Sequence, residues 1–445
     1  LEKSKSSPED TLTLKKENYM TDILIIGAGI SGLAAARHLV ENEFDVTLLE
    51  GRDRIGGRIY TDRTLGFPID LGATWIHGNK RNPITQLARD FQVKIIRTDF
   101  ENAQIYNTNG NPLTKQQLER GESLYEEIID AAKEMSEELD EDISVGEAIK
   151  RLLKRRNLQP IQKNLLQWYL NSEIILESAA DLENLSIWEW DEDEAFEGDD
   201  YLFPNGYDAL VQRLAENLDV RLNHQVSTVE YGEDGVWVET SQGNFEAEAV
   251  LITLPLGVLK SDAVTFSPPL PKAKQAAINR LSMGVLDKVV LKFPEAFWSE
   301  DYDMIGYLSD REDAFLEFLN FRRYTSAPVL VGLVAGQFAQ SLESLSEDEV
   351  AERVMKQLWQ IHGDEIPKPD AVIKTHWATD PFSLGSYSIA PPGATSCDRK
   401  TLAQPVADVL FFAGEATSSD YPATVHGAFL SGIQAAQNIM SEFSE

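Results

Sequence analysis

The stretch from residue 22 to residue 50 restricts the fold more than any other part of the chain. Residues 22–26 (DILII) form a short apolar run of strand type, residues 30–40 repeat apolar side chains at helical spacing, and residues 46–49 (VTLL) read as a second strand. Between the first strand and the helix lies Gly27-Ala-Gly29-Ile30-Ser31-Gly32. In this G-x-G-x-x-G spacing one glycine makes the tight turn, one lets the backbone approach a pyrophosphate, and one lets the helix pack closely on the strand. Glu50 ends the second strand, 18 positions after Gly32, where a carboxylate accepts from ribose hydroxyls and disfavours a 2′-phosphate. A β–α–β unit of this kind predicts a doubly wound α/β domain that binds a dinucleotide.

The 445 residues suffice for two or three domains at roughly 150 residues each. Forty Lys and Arg stand against 73 Asp and Glu, a net charge of −33. Such a field repels nucleic acid and anionic lipid and draws in small cations, although a well-solvated surface accounts for much of it. The single cysteine, Cys397, excludes an intrachain disulfide, and the six histidines show no metal-ligand spacing, so no metal is expected. The most apolar stretches are far shorter than the roughly 20 residues that span a bilayer. A soluble protein is expected, with the cytoplasm somewhat ahead of a periplasmic or secreted location. Residues 1–19 contain no apolar signal core and are expected to be flexible or processed.

Beyond the first unit, residues 114–172 carry helical patterns (LYEEIIDAAKEM, AIKRLL), and residues 218–254 alternate in strand-like runs. Further strand candidates follow in 286–335 (DKVVLKF, FLEFLN, VLVGLV), and the apolar run 409–413 precedes a last helix at about 426–440. The expected architecture is two interleaved units. Segments 20–79, 201–285 and 394–445 build a Rossmann-like cofactor-binding domain, and segments 80–200 and 286–393 build an α+β substrate-binding domain.

Two further elements favour FAD over NAD. Arg52-Asp-Arg-Ile-Gly-Gly57-Arg58 follows Glu50, with glycines for close approach and arginines for a diphosphate. Near the C-terminus Phe412-Ala-Gly414-Glu415 sets another carboxylate after a strand. These segments, together with DLGATWIHG, VLITLPLGVLK, WATDPFSLGSYS and ATVHGAFLSGIQAA, resemble the flavin-containing amine oxidase family over residues 21–440. Polyamine oxidases, spermine oxidases and the catalytic domain of lysine-specific histone demethylases look most alike, and monoamine oxidases more distant.

The resemblance implies that Gly27, Gly29, Ile30, Ser31, Gly32, Glu50, Arg52, Gly57 and Arg58 bind the ADP half of FAD and that Val226 meets adenine. Gly72, Ala73, Thr74 and Trp75 would line the isoalloxazine, Gly414 and Glu415 the ribityl end, and Thr424 and Val425 the pyrimidine edge at a helix N-terminus. Ser386 precedes Tyr387 where monoamine oxidases carry a flavin-linking cysteine, so FAD is expected to be non-covalent. Lys288 matches the family lysine that holds a water against flavin N5, and a lysine inside an apolar strand is a place where burial lowers a pKa. Trp377 and Tyr387 match the aromatic walls beside the flavin. Thr424 stands where monoamine oxidases have a second cage aromatic, which widens the slot for a longer or secondary amine. His77 matches the spermine oxidase form of its motif, and a neutral imidazole can accept from a substrate nitrogen.

The acidic run at 188–201 holds eight Asp and Glu with no basic partner. A solvated loop is the plain reading of such a run; the resemblance instead puts Asp193 and Glu194 beside the substrate channel, facing distal ammonium groups. Together these readings imply an FAD-dependent polyamine oxidase acting on spermidine or spermine. Hydride passes to flavin N5, the imine hydrolyses to an aldehyde and a shorter amine, and O₂ becomes H₂O₂. Two alternatives stay open: an L-amino-acid oxidase of the same family, with Arg322 or Arg323 facing the substrate carboxylate, and a non-catalytic flavin-binding interaction protein. Oligomeric state is not fixed by the sequence.

Overall fold

The computed structural model describes residues 18–443, apart from 155, 192, 193, 234 and 312. Its larger sheet has eight strands. At its centre Asn18–Ile26 pairs in parallel with both Gly243–Ile252 and Val46–Leu49, and Leu410–Phe412 pairs in parallel with Gly243–Ile252 on a branch of the sheet. The expected strand at 22–26 is thus the second half of a longer one, while the helix Ile30–Val40 and the strand Val46–Leu49 begin and end as read. Leu24, Ile26, Val250 and Ile252 pack on one face of this sheet, and Ile23, Ile25, Ala249 and Leu251 on the other. Burial on both faces explains why these strands read as unbroken apolar runs rather than alternating ones.

The helix Ile30–Val40 lies against the C-terminal helix Val425–Phe443, so the last segment of the chain completes the core of the first. The contact is close: a Cβ at Gly432 would stand 2.2 Å from the Ser31 carbonyl oxygen. Residues 114–172 form three helices, Lys115–Glu137, Val145–Leu153 and Pro160–Leu170, and the last runs directly into a π-helical turn, Asn171–Leu176. Such turns are rare and gather at functional sites.

A second sheet has six strands in the order Ala371–Lys374, Leu286–Lys292, Val329–Ala335, Glu317–Asn320, Met304–Tyr307, Ala103–Tyr106. One face packs on the helices Gly336–Glu343 and Glu347–His362. Its other face meets Ile69, Leu71 and Leu176 and closes over the C-terminal ends of the parallel strands of the larger sheet. Ligands of open α/β sheets bind at those strand ends.

Candidate active site

A cavity of about 1010 Å³ lies between the two sheets. It is bounded by the turn after the first strand, the Arg52–Ile59 segment, Gly72–Trp75, the π turn, Lys288, Trp377, Tyr387 and the N-terminus of the last helix. Every site residue expected from the sequence lines it, save Gly32, which packs behind the turn, and Asp193, which falls outside the described residues.

The glycine turn is built as its spacing demands. Gly27 has φ +109°, a conformation closed to side chains, and its N–H donates to Leu49 O at 2.8 Å. A Cβ on Gly32 would lie 2.0 Å from the Gly27 carbonyl, whereas a Cβ on Gly29 would meet no protein atom within 4 Å and would project into the cavity. Glu50 accepts from the N–H groups of Ala28 and Arg52, both at 2.9 Å, which fixes its carboxylate at the strand end. Arg52 is held by Asp380 at 2.7 Å and Arg58 by Glu415 at 2.7 Å. Glu415 also accepts from Ser388 Oγ and the Ala423 N–H. Burial raises its pKa, but Arg58, Ser388 and Arg399 outweigh that and hold it below the usual carboxylate value.

Two helix N-termini, at Ile30 and Val425, open onto the same cavity, and each favours negative charge. Thr424 Oγ1 accepts from the Gly427 N–H at 2.9 Å, which anchors the second. Trp75 Nε1 and His426 Nε2 are buried without a hydrogen-bond partner among the described residues. An open glycine cradle, fixed carboxylates and arginines, and two helix N-termini fit an elongated dinucleotide such as FAD.

Lys288 is 4% exposed. Its Nζ donates to the carbonyls of Asp70 at 2.9 Å and Gly72 at 2.6 Å and to Thr74 Oγ1. Burial lowers its pKa to about 8 against the opposing charge of Asp70. Gly72 is required beneath it: a Cβ there would strike Arg58 O at 1.8 Å. Trp377 is aimed by two bonds, its indole N–H to Leu71 O and its backbone N–H to Asp287 Oδ1, both 3.2 Å. Asp287 is itself buried, which pushes its carboxyl up to about 7. The Tyr387 hydroxyl reaches the carbonyls of Leu176 and Glu177 at 3.0 and 2.9 Å, tying this wall to the π turn.

His77 Nδ1 lies 3.2 Å from Asp200 Oδ2. Burial lowers the imidazole pKa, but Asp200 and the more distant Glu177 raise it further, to a net value above that of an ordinary histidine. Glu194 sits at the rim, accepting from Tyr421 Oη at 3.0 Å, and Phe196 stacks on Tyr421 at 4.8 Å. The acidic run does have basic partners, supplied from elsewhere in the chain: Lys133 for Asp191, Lys80 for Glu197 and Arg97 for Asp199. Arg322 and Arg323 do not line the cavity; they engage Glu300 and Asp303. Cys397 is exposed. Sequence reading overlooked Ser172, Glu173, Glu177 and Glu317, which all line the cavity. Among the described residues no cluster of metal-ligating side chains occurs, and no helix is long and apolar enough to cross a membrane.

Comparison with known proteins agrees with this geometry. The flavin containing amine oxidoreductase family matches residues 30–440. The chain is 37% identical to probable polyamine oxidase 4 of Arabidopsis thaliana, over 97% of this chain and 90% of that one. It is 37% identical to polyamine oxidase 4 of Oryza sativa subsp. japonica, over 93% and 87%. It is also 36% identical to lysine-specific histone demethylase 1 homolog 2 of Arabidopsis thaliana, over 96% of this chain but 59% of that protein. Among solved structures, a putrescine oxidase double mutant from a redesign of cofactor binding superposes with a TM-score of 0.77 at 21% identity, covering 96% of this chain and 100% of that one.

Proposed function

The chain belongs to the flavin-containing amine oxidoreductase family, and from that premise we propose that this FAD enzyme is a polyamine oxidase with spermidine or spermine as substrate. The observation that carries the reading is the composition of the cavity lining: Glu173, Glu177, Asp200 and Glu317 line the same cavity as Lys288, Trp377 and Tyr387. Carboxylates in that number recognise a substrate with more than one positive charge. The relatives named as polyamine oxidases support the same assignment.

In this reading Gly27–Gly32, Glu50, Arg52, Gly57, Arg58, Val226, Gly414 and Glu415 hold FAD without a covalent link, and Gly72–Trp75, Trp377, Thr424 and Val425 enclose its ring. Segments 20–79, 201–285 and 394–445 serve the cofactor, and 80–200 and 286–393 the substrate. When bound, FAD supplies the hydride acceptor and returns the electrons to O₂, and the oxidised amine then hydrolyses to an aldehyde and a shorter amine. The acidic rim, with Glu194, draws the cationic substrate inward. Trp377 and Tyr387 form flat walls that exclude water and align the reacting carbon. His77, made more basic by Asp200, accepts a proton from the substrate nitrogen, since only a neutral amine donates hydride. Lys288 stands beside the ring, its three donors committed to Asp70 O, Gly72 O and Thr74 Oγ1.

An L-amino-acid oxidase needs an arginine for the substrate carboxylate, and Arg322 and Arg323 are engaged elsewhere. The test is H₂O₂ release and product identification with spermine, spermidine, putrescine, L-amino acids and a methyl-lysine peptide. Oxidation of the polyamines to an aldehyde and a shorter amine is expected. Turnover confined to amino acids or to the peptide overturns the proposal.

A further inference from the structure

Asp287 and Lys288 are neighbours on the strand Leu286–Lys292 and turn their side chains to opposite faces of the six-stranded sheet. Lys288 lines the cavity. Asp287 is paired with Val334, which packs among the helices on the other face. The carboxyl is 2% exposed there, and a carboxyl so placed is costly unless it is satisfied. Its Oδ1 accepts from Thr375 Oγ1 at 2.6 Å and from the Trp377 N–H at 3.2 Å. Its Oδ2 is buried and meets no donor among the described residues.

Glu343, the last residue of the helix Gly336–Glu343, reaches the same turn. Its two oxygens accept from the N–H groups of Ala378 at 2.7 Å and Thr379 at 3.0 Å. Consecutive N–H groups of one turn thus go to two acids, that of 377 to Asp287 and those of 378 and 379 to Glu343, which brings the acids side by side. Burial, the charge of Glu343 and a side-chain hydrogen bond to it push the Asp287 carboxyl up to about 7, against the bonds from Thr375 and the Trp377 N–H. Two carboxyls bond to one another only when one of them carries a proton. Other charged groups nearby are engaged or turned away: Lys374 Nζ donates to the carbonyls of Leu342 and Glu343, Lys288 Nζ bonds on the cavity face, Asp380 pairs with Arg52, and His376 is exposed.

The same acids hold two walls of the site. Thr375, bonded to Asp287, accepts the Lys288 N–H at 2.8 Å and donates its own N–H to Lys288 O at 3.0 Å. We infer that Asp287 and Glu343 share one proton, Asp287 Oδ2 donating to Glu343, and that this acid pair is the positioning device that keeps Trp377 in place beside Lys288. Loss of the proton sets two carboxylates side by side in a buried place, and their repulsion loosens the 377–379 turn. The consequence for turnover rests on the amine-oxidase reading above; the shared proton does not.

The test compares Asp287→Ala with Asp287→Asn, whose amide keeps an acceptor for Thr375 and Trp377 and puts a permanent N–H donor where the proton lies. In the FAD-loaded enzyme at about pH 6, Asp287→Ala should slow anaerobic flavin reduction by spermidine at least about tenfold, and Asp287→Asn should restore it to within about threefold of wild type. The ratio of the Asn variant to wild type cancels the ionisation of the amine, and it should rise at least about threefold between about pH 6 and about pH 9.5 as wild type loses its proton. A merely structural pair leaves that ratio flat. Infrared difference spectra of wild type against Asp287→Asn at about pH 6 should carry the carbonyl stretch of a protonated carboxylic acid, and in a Glu343→Gln background that band should disappear at a lower pH. An Asn variant as slow as the Ala variant, a flat ratio, a missing acid band, or a band indifferent to Glu343→Gln overturns the inference. If no amine reduces the wild-type flavin, the proposed function fails, and the infrared measurement still decides whether the two acids share a proton.

Discussion

Gly29 and Gly32 stand three residues apart in one turn, and the same substitution at each should do opposite things. Gly29 caps the helix Ile30–Val40 with φ −74° and ψ 176°, a conformation alanine adopts freely, and a Cβ there meets no protein atom within 4 Å. Gly29→Ala should therefore leave the stability of the cofactor-free protein within about 1 kcal/mol of wild type. That methyl would point into the cavity where the backbone approaches the pyrophosphate. Losing two hydrogen bonds to a charged group costs about 3 kcal/mol, or roughly 100-fold in FAD affinity. At Gly32 the Cβ would lie 2.0 Å from the Gly27 carbonyl oxygen, which is backbone and cannot swing aside, while the helix is pinned from behind by Gly432. Gly32→Ala should destabilise the fold itself by about 3 kcal/mol or more. The assay is thermal unfolding of the flavin-stripped proteins together with FAD titration followed by flavin fluorescence. Wild-type FAD affinity in Gly29→Ala, or a loss of apo-protein stability equal to that of Gly32→Ala, would refute the reasoning.

Three other outcomes follow from the site. Lys288→Met should retain FAD yet turn over at least about tenfold more slowly; stopped-flow rates of flavin reduction and reoxidation that match wild type would remove Lys288 from the mechanism. Glu415→Gln leaves Arg58 and Arg399 facing a neutral amide in a buried site, so chemical denaturation should show a loss of about 2–4 kcal/mol, and a wild-type curve would contradict the role given to this carboxylate. Glu317 keeps its proton up to about pH 7 in the folded chain and loses it near 4.5 when unfolded. The stability this gives is complete below pH 4.5 and disappears as the pH rises through 7. A Gln at 317 has no proton to lose, so Glu317→Gln should gain about 1–3 kcal/mol on wild type between pH 5 and 7.5; a pH-independent difference in melting would rule out the buried, protonated acid.

The cofactor half of the site is legible in the chain because its chemistry is local. Strand, glycine turn, helix and Glu50 all lie within residues 18–50, and the hydrogen bonds that fix Glu50 come from Ala28 and Arg52. Lys288 is legible for a different reason: a charge inside an apolar strand is an anomaly that periodicity exposes. Glu317 in FLEFLN is the same anomaly, but a strand with one polar residue also reads as a half-exposed edge, and only its pairing with Leu333 places it in the row of Lys288. The π turn has no signature of its own, since Asn171–Leu176 continues the apolar spacing of the helix before it. The partners of the acidic run were hidden because Lys80, Arg97 and Lys133 lie 58 to 117 residues from the carboxylates they meet. Charge runs can be counted in a sequence; their partners depend on the fold.

The central claim, that this cavity oxidises a polyamine, is tested most directly by mixing the purified yellow protein with spermidine or spermine in the absence of O₂ and following flavin absorbance. Rapid bleaching by these amines, but not by L-amino acids, with an aldehyde and a shorter amine as products, is the predicted result. A flavin left oxidised by every polyamine, or bleached only by amino acids, would contradict the account.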